Sequence, residues 1–151
     1  MSPRTPHHSP APDAPDTTDL VGLLHERGQR VTPQRLVILR QLQRGGRHAT
    51  ADEIRRAIRD ELPGTSTPTV YATLELLVEL GLARRVDAGA GATLYDPRTE
   101  PHAHMVCRRC GRIEDLDSPL DVNLARRAAA DAGFTPQAVE VVVSGLCADC
   151  A

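Results

Sequence analysis

The fold of this chain is decided by residues 67–95, TPTVYATLELLVELGLARRVDAGAGATLY. Apolar side chains recur at helical spacing from Val70 to Val78, and Thr67-Pro68 supplies a predicted N-cap with a proline in the first turn. After Gly81 the period changes, and two short extended runs flank the glycine-rich turn at 89–91. A helix followed directly by such a hairpin is typical of a winged helix-turn-helix.

The chain before this stretch is predicted to form three further helices. The first ends at Gly28, and Thr32-Pro33 then provides a cap and a first-turn proline for the second. Thr50 and Glu53 have the spacing of a capping box, which predicts the start of the third helix. These helices and the hairpin predict a winged-helix domain over residues 17–88.

The second half of the chain has a different pattern, in which short strands alternate with one helix. A hinge is predicted at residues 89–92 before a second, α/β domain over 93–151, so the fold class is α+β. The predicted strands and helix of this domain cover residues 102–106, 112–115, 139–143 and, for the helix, 120–132.

Composition limits the classes of function that fit the chain. A length of 151 residues suits one ordinary domain or two small ones, and residues 1–16, which hold five of the twelve prolines, are predicted to be a disordered tail. The net charge of −2 hides a local excess of arginine between residues 25 and 59. No apolar run is long enough for a membrane span or a secretory signal, so we expect a cytoplasmic protein with no membrane partner.

All four cysteines lie in two CxxC pairs, Cys107 with Cys110 and Cys147 with Cys150. Four thiolates in such turns match the tetrahedral shell of a structural Zn²⁺ ion, one per chain. A reactive dithiol or uncoordinated core cysteines are the alternatives that the spacing leaves open.

Two histidines lie close to the first cysteine pair. His102 and His104 are two apart on a predicted strand, so their imidazoles should leave the same face and form half of a metal site. His48, Asp96 and Asp115 could complete such a site, but spacing alone does not bring them near, and a role as solvated bystanders stays open for each.

The N-terminal turns of the last helix before the hairpin are those that would enter the DNA major groove. Thr69, Tyr71 and Ala72 lie there and could touch base edges, although Tyr71 could equally pack against the hairpin. Basic side chains would neutralise phosphates, or else form a merely solvated charged face. The arginines in question are Arg30, Arg35, Arg84 and Arg85.

Taken together, these motifs resemble the ferric uptake regulator (Fur) family of metal-dependent repressors, from about Thr17 to Cys150. The segments that carry the resemblance are Arg30-Val-Thr-Pro-Gln-Arg35, His48-Ala-Thr-Ala-Asp-Glu53, Thr69-Val-Tyr71 with Leu74, and His102-Ala-His104 with both CxxC pairs.

The resemblance implies a homodimer that binds a palindromic operator in double-stranded DNA. Each chain would carry an N-terminal winged helix and a C-terminal dimerisation domain with a four-cysteine zinc. It also implies a regulatory metal held by nitrogen and oxygen donors, which favour Fe²⁺ or Mn²⁺. The matching positions are His48, Asp96, His102, His104 and Asp115.

The branch of the family is predicted from two features. A further histidine-rich site common in iron- and zinc-sensing members is absent, since Pro101, Ala103 and residues 137–138 stand at its places. Aspartate at both 96 and 115 resembles the peroxide-sensing branch, in which bound iron(II) reacts with peroxide and oxidises the histidines matching His48 and His102. Iron- or manganese-responsive repression of metal uptake is the alternative. A response to nickel or another metal is a third interpretation.

Two enzyme classes also have sequence features in their favour. A thiol oxidoreductase could use a CxxC pair, but neither pair begins a helix after a strand, where a lowered thiol pKa is expected. A metallohydrolase needs an open metal and a spare general base, and five candidate ligands leave little space for either. The sequence therefore predicts that the chain is not an enzyme.

Overall fold

A computed structural model describes residues 17–87 and 91–151 and divides the chain into two compact units, Met1–Thr99 and Glu100–Ala151. The predicted tail, 1–16, lies outside the described residues, as do positions 89 and 90 of the predicted hinge.

Over its described residues, the first unit is a winged helix made of four helices and a small antiparallel sheet. Its strand order is β1-β3-β2, and the described hairpin strands are β2 and β3, as predicted. In chain order the elements are α1 Thr17–Glu26, α2 Pro33–Gly45, β1 Ala49–Thr50, α3 Ala51–Ala57, α4 Thr67–Glu79, β2 Arg84–Val86 and β3 Leu94–Asp96.

Side-chain caps fix where these helices begin. The hydroxyl of Thr32 accepts from the backbone N–H of Arg35, and the capping box of Thr50 and Glu53 is present, so both predictions are confirmed. The predicted cap at Thr67 is wrong: Ser66 accepts from the backbone N–H of Thr69, and Thr67 is already helical. Both residues can cap, and proline is tolerated anywhere in the first turn, so the sequence left the choice open.

The helices of the first unit are held by one apolar core. Its fully buried members come from α1, α2, α4 and the segment after α3, and Tyr95 of β3 is buried with them. Burial of leucine-sized side chains contributes about 1.5–3 kcal/mol each, so this core sets the position of α4. The largest buried side chains are Leu20, Leu24, Ile38, Leu39, Leu42, Ile58, Val70, Leu74, Leu77 and Tyr95.

The two-residue strand β1 was missed by the sequence analysis, because so short a strand shows no alternation. It pairs with β3, with Ala49 opposite Tyr95 and Thr50 opposite Leu94. Strand β3 is thereby held between β1 and β2, and the division between the two units falls after Thr99, later in the chain than the predicted hinge at 89–92.

The second unit is a three-stranded sheet with one helix, in the order β5-β4-β6. Strand β4 pairs with β5 antiparallel and with β6 parallel. The predicted strand 139–143 begins only at Val142, and the predicted helix 120–132 is shorter at its start. The elements are β4 Ala103–Cys107, β5 Ile113–Leu116, α5 Asn123–Asp131 and β6 Val142–Gly145.

Together the two units confirm the α+β fold class. Among the helices of the described residues, none has the length and apolar character that crossing a membrane requires.

Candidate metal centres and reading helix

The four cysteines meet at one end of the second sheet. Cys107 ends β4, and the parallel register of Cys107 with Gly145 brings the segment after β6 beside the first CxxC turn. All four sulfurs lie within 4.8 Å of one another. Those of Cys110 and Cys147 are 3.8 Å apart, which is close to the separation of about 3.8 Å expected between thiolates in a tetrahedron with bonds of about 2.3 Å to zinc. The cluster therefore fits a zinc ion.

Protons are held unequally within this cluster. Backbone N–H groups of Cys110 and Cys147 donate to the sulfur of Cys107 and lower the pKa of its thiol to about 5. The pKa of Cys150 is raised to about 12, first by the hydrogen bond of its thiol with Cys147 and then by burial. A bound cation must displace the remaining protons, so affinity for zinc should fall in acid.

Contacts around the cysteines tie the two CxxC turns together. The guanidinium of Arg109, in the first turn, donates to the carbonyl of Cys150 at 2.6 Å. Arg112, just after that turn, pairs with Asp149 in the second turn at 2.9 Å. Gly111 adopts φ 73°, a left-handed conformation that favours glycine, and its N–H donates to the carbonyl of Cys107. This arrangement suits a structural site.

A second group of donors lies on neighbouring strands of the same unit. His104 of β4 stands directly opposite Asp115 of β5 in the ladder. The Oδ1 atom of Asp115 is 3.2 Å from Nε2 of His102 and 3.8 Å from Nε2 of His104, and all three side chains are largely buried. The two imidazole centroids are 4.4 Å apart, as expected for rings that leave one face of a strand.

The orientation of His102 is fixed by a backbone contact. Its Nδ1 lies 2.8 Å from the carbonyl oxygen of Glu100, which can only accept a hydrogen bond. Nδ1 therefore donates to that carbonyl, and Nε2 faces the Oδ1 atom of Asp115. A ring held in this way is the usual state of a metal-ligating histidine.

A third group of donors, a histidine and an aspartate, lies in the first unit. His48 immediately precedes β1 and Asp96 ends β3, so the pairing of Ala49 with Tyr95 places them next to each other. Nε2 of His48 is 3.4 Å from Oδ2 of Asp96, and both side chains are buried. The other carboxylate oxygen accepts from the N–H of Arg98 at 2.8 Å, which orients Oδ2 toward the imidazole.

The predicted reading helix is α4, and the side chains expected to touch bases lie on its exposed side. Thr69, Tyr71 and Ala72 are all exposed, Tyr71 to 43%. The ring of Tyr71 also makes an edge-to-face contact with Tyr95, with centroids 6.1 Å apart, so it packs against the β2–β3 hairpin (the wing) while part of the ring stays exposed.

The four predicted phosphate-binding arginines differ in their contacts. Arg30 is exposed, and the guanidinium of Arg35 donates to the carbonyl of Arg30, which fixes the turn before α2. Arg84 is half-buried and lies opposite Asp96 in the hairpin register. Arg85 donates to Glu75 of α4, and this contact raises the pKa of its guanidinium.

Glu75 was not singled out by the sequence analysis. Its carboxylate also accepts from the hydroxyl of Tyr95, whose pKa is raised above the ordinary range, first by burial and then by this hydrogen bond. The only sequence signal is that Glu75 lies four residues after Tyr71, on the same face of α4.

Comparison with known proteins gives consistent results along most of the chain. The sequence profile described as the ferric uptake regulator family matches residues 26–144. The peroxide-responsive repressor PerR of Staphylococcus aureus is 32% identical over 130 residues, which is 86% of this chain and 88% of that protein.

Solved structures agree. The Campylobacter jejuni peroxide stress regulator is 34% identical with a TM-score of 0.64, and the match covers 87% of this chain and 98% of that one. A zinc uptake regulator in complex with zinc and DNA is 26% identical with a TM-score of 0.65, over 87% of this chain and 90% of that one.

Proposed function

The chain belongs to the ferric uptake regulator family, and we propose that it is a metal-dependent, DNA-binding transcriptional repressor of the peroxide-responsive type. Members of this family are transcriptional regulators that bind DNA as dimers. The predictions that the chain is a DNA-binding homodimer and not an enzyme are therefore confirmed.

Two kinds of metal fit the described donors. The four cysteines would hold a structural Zn²⁺ ion, because their sulfurs lie within 4.8 Å of one another and four thiolates complete a tetrahedral shell without a fifth donor. His102, His104 and Asp115 form the two-histidine, one-carboxylate set that iron(II) proteins use with further positions open. The position of the Asp115 carboxylate beside both imidazoles is the observation that carries the proposal.

We propose that His48 and Asp96 of the first unit complete this set around one regulatory Fe²⁺ or Mn²⁺ ion. Three donors from the second unit and two from the first would approach the coordination that these ions prefer, and none of the five is a thiolate. An ion held by donors of both units would restrict their arrangement. Metal and DNA affinities would then be reciprocally coupled, as binding linkage requires.

Peroxide sensing would use the same side chains. A bound iron(II) ion would supply the electron that reduces hydrogen peroxide, so that a strong oxidant would form beside these ligands. His102 is held in place by Glu100, so its ring stays beside that position. An imidazole oxidised on its ring is a poorer donor, and the chain would then lose the contribution of metal to DNA binding.

The operator would be read by α4 in the major groove. Thr69, Tyr71 and Ala72 would face base edges, and the symmetry of a dimer predicts a palindromic site. Phosphates would be bound at a set of four arginines, Arg30, Arg35, Arg84 and Arg85. Arg35 also donates to the carbonyl of Arg30, and Arg85 also donates to Glu75, so these two would in addition hold the turn before α2 and the hairpin in position.

We further propose that the protein acts in the cytoplasm. Its DNA partner would lie there, and a four-thiol zinc site persists in a reducing compartment.

The experiment that tests the peroxide proposal is peptide mass spectrometry after treatment with hydrogen peroxide. We expect a gain of one oxygen atom on the peptide holding His48 or His102 in protein loaded with Fe²⁺, and no gain with Mn²⁺. His25, which lies in α1, provides an internal control that should stay unmodified. No gain under iron, with metal-dependent DNA binding intact, would instead support an iron- or manganese-responsive repressor.

A further inference from the structure

The small sheet of the first unit carries different chemistry on its two faces. Successive side chains of a strand point to opposite faces, and paired residues of neighbouring strands share a face. Asp96 therefore shares one face with His48, whereas Tyr95 shares the other with Arg85, its partner in the β2–β3 register. One face bears the metal donors, and the other faces α4.

Tyr95 is the point at which the sheet holds the reading helix. Its ring is fully buried and meets Tyr71 edge-to-face at an interplanar angle of 83°. Its hydroxyl donates to the carboxylate of Glu75. Tyr71 and Glu75 are one helical turn apart, so a single side chain of β3 contacts two consecutive turns of α4.

Glu75 joins both hairpin strands to the helix. One carboxylate oxygen accepts from Tyr95 on β3 and the other accepts from Arg85 on β2. Three-quarters of the Glu75 side chain is shielded from solvent, which makes both contacts stronger than exposed ones. The carboxylate therefore fixes the angle between the helix and the wing.

We propose that Tyr95 and Glu75 are positioning residues that carry metal occupancy from the His48–Asp96 pair to the reading helix. The inference rests on the function proposed above. Tyr95 and Asp96 are consecutive residues of a three-residue strand, so a ligand that sets the position of Asp96 also sets that of Tyr95. Because Tyr95 contacts Tyr71 and Glu75, a shift of Tyr95 would move the turns of α4 that would lie against DNA.

Two conservative variants test the inference. Tyr95→Phe keeps the buried ring and its contact with Tyr71 but removes the hydroxyl, and Glu75→Gln keeps the shape but removes the charge. The control is Glu61→Gln, which removes the acid from an ion pair with Arg40 of α2 and lies in neither β3 nor α4. The measured quantity is the ratio of DNA dissociation constants without and with Mn²⁺, on a duplex selected from a random library by the wild-type protein.

We expect that ratio to fall about tenfold in Tyr95→Phe and Glu75→Gln, the effect of losing one hydrogen bond to a charged group. In Glu61→Gln it should stay at the wild-type value. If both test variants keep the wild-type ratio, or if the control loses as much as they do, the inference is wrong. If the wild-type protein itself shows no dependence on Mn²⁺, the proposed function fails first.

A spectroscopic readout separates coupling from simple destabilisation. The chain has two tyrosines, Tyr71 and Tyr95, and no tryptophan, so its absorbance near the tyrosine maximum comes from the two rings that are in contact here. Addition of Mn²⁺ should give a tyrosine difference spectrum in the wild-type protein and in Glu61→Gln. In Glu75→Gln the difference should be smaller at equal metal saturation. A full-sized signal in Glu75→Gln would contradict the inference.

Discussion

His104 and Asp115 stand opposite each other in the antiparallel ladder of the second unit, with Nε2 of the imidazole 3.8 Å from Oδ1 of the carboxylate. The same oxygen lies 3.2 Å from Nε2 of His102. The strand register brings His104 and Asp115 together, with His102 two residues before His104 on the same side, and the carboxylate would balance part of the charge of a bound cation.

Replacement of Asp115 by asparagine should weaken Mn²⁺ binding by more than about tenfold. Changes to residues that only support metal ligands already cost about 10–100-fold in affinity, and this change removes a charged ligand. Calorimetric titration of the zinc-containing protein measures the effect. The control is Glu114→Gln, on the neighbouring, exposed position that faces Arg112. Equal affinity in Asp115→Asn and wild type would remove Asp115 from the site.

Replacement of Cys110 by serine should release zinc and loosen the second unit. The ion would close a loop whose ends, Cys110 and Cys147, are 37 positions apart, and a cross-link of that length is worth about 4 kcal/mol. Amide exchange in β4–β6 should quicken accordingly, while exchange in α2 and α4 should stay slow. Asp149→Asn, which only breaks the pair with Arg112, should keep its zinc. Full zinc content in Cys110→Ser by elemental analysis would refute the four-thiolate site.

The dimer should form through the second unit, which exposes large apolar side chains. Leu124 is 73% exposed and Phe134 69% exposed, and α5 has no buried residue. Because single chains rarely leave so much apolar surface in water, Leu124→Glu should shift the protein toward monomer in sedimentation measurements. Val31→Glu, a matched change in the first unit, should not. A stable Leu124→Glu dimer would point to another surface.

Arg30 provides a test of the phosphate contacts. The plot of log affinity for DNA against log salt concentration should lose about one unit of slope in Arg30→Gln, since each neutralised phosphate releases about one counterion. Arg40→Gln is the control, because that side chain already pairs with Glu61. An unchanged slope in Arg30→Gln would place its guanidinium away from DNA.

Features of the fold that depend on nearby residues were predictable from the sequence. Helical periodicity, the caps at Thr32 and Thr50, and the two CxxC turns are local patterns, and the structure reproduces them. The shared face of His102 and His104 follows from alternation on one strand, and the two rings are in contact. The family was therefore evident from these segments.

Features that depend on pairing between distant segments were not predictable from spacing. The proximity of His48 to Asp96 requires β1, which is too short to show a pattern, and that of His104 to Asp115 requires the β4–β5 register. Only the resemblance to the family implies that the members of each pair lie close together. Glu75 was missed by either route, because its role appears only when the hairpin is packed on α4.

We propose that His48, in the first unit, would share one removable ion with His102, His104 and Asp115 of the second. The most direct test is the affinity of His48→Ala for Mn²⁺, measured by calorimetry with zinc retained. We expect one weaker-than-zinc Mn²⁺ site per chain in the wild-type protein and a loss of at least about tenfold in affinity in the variant. Wild-type affinity in His48→Ala would contradict this proposal, because the Mn²⁺ ion would then be bound without His48.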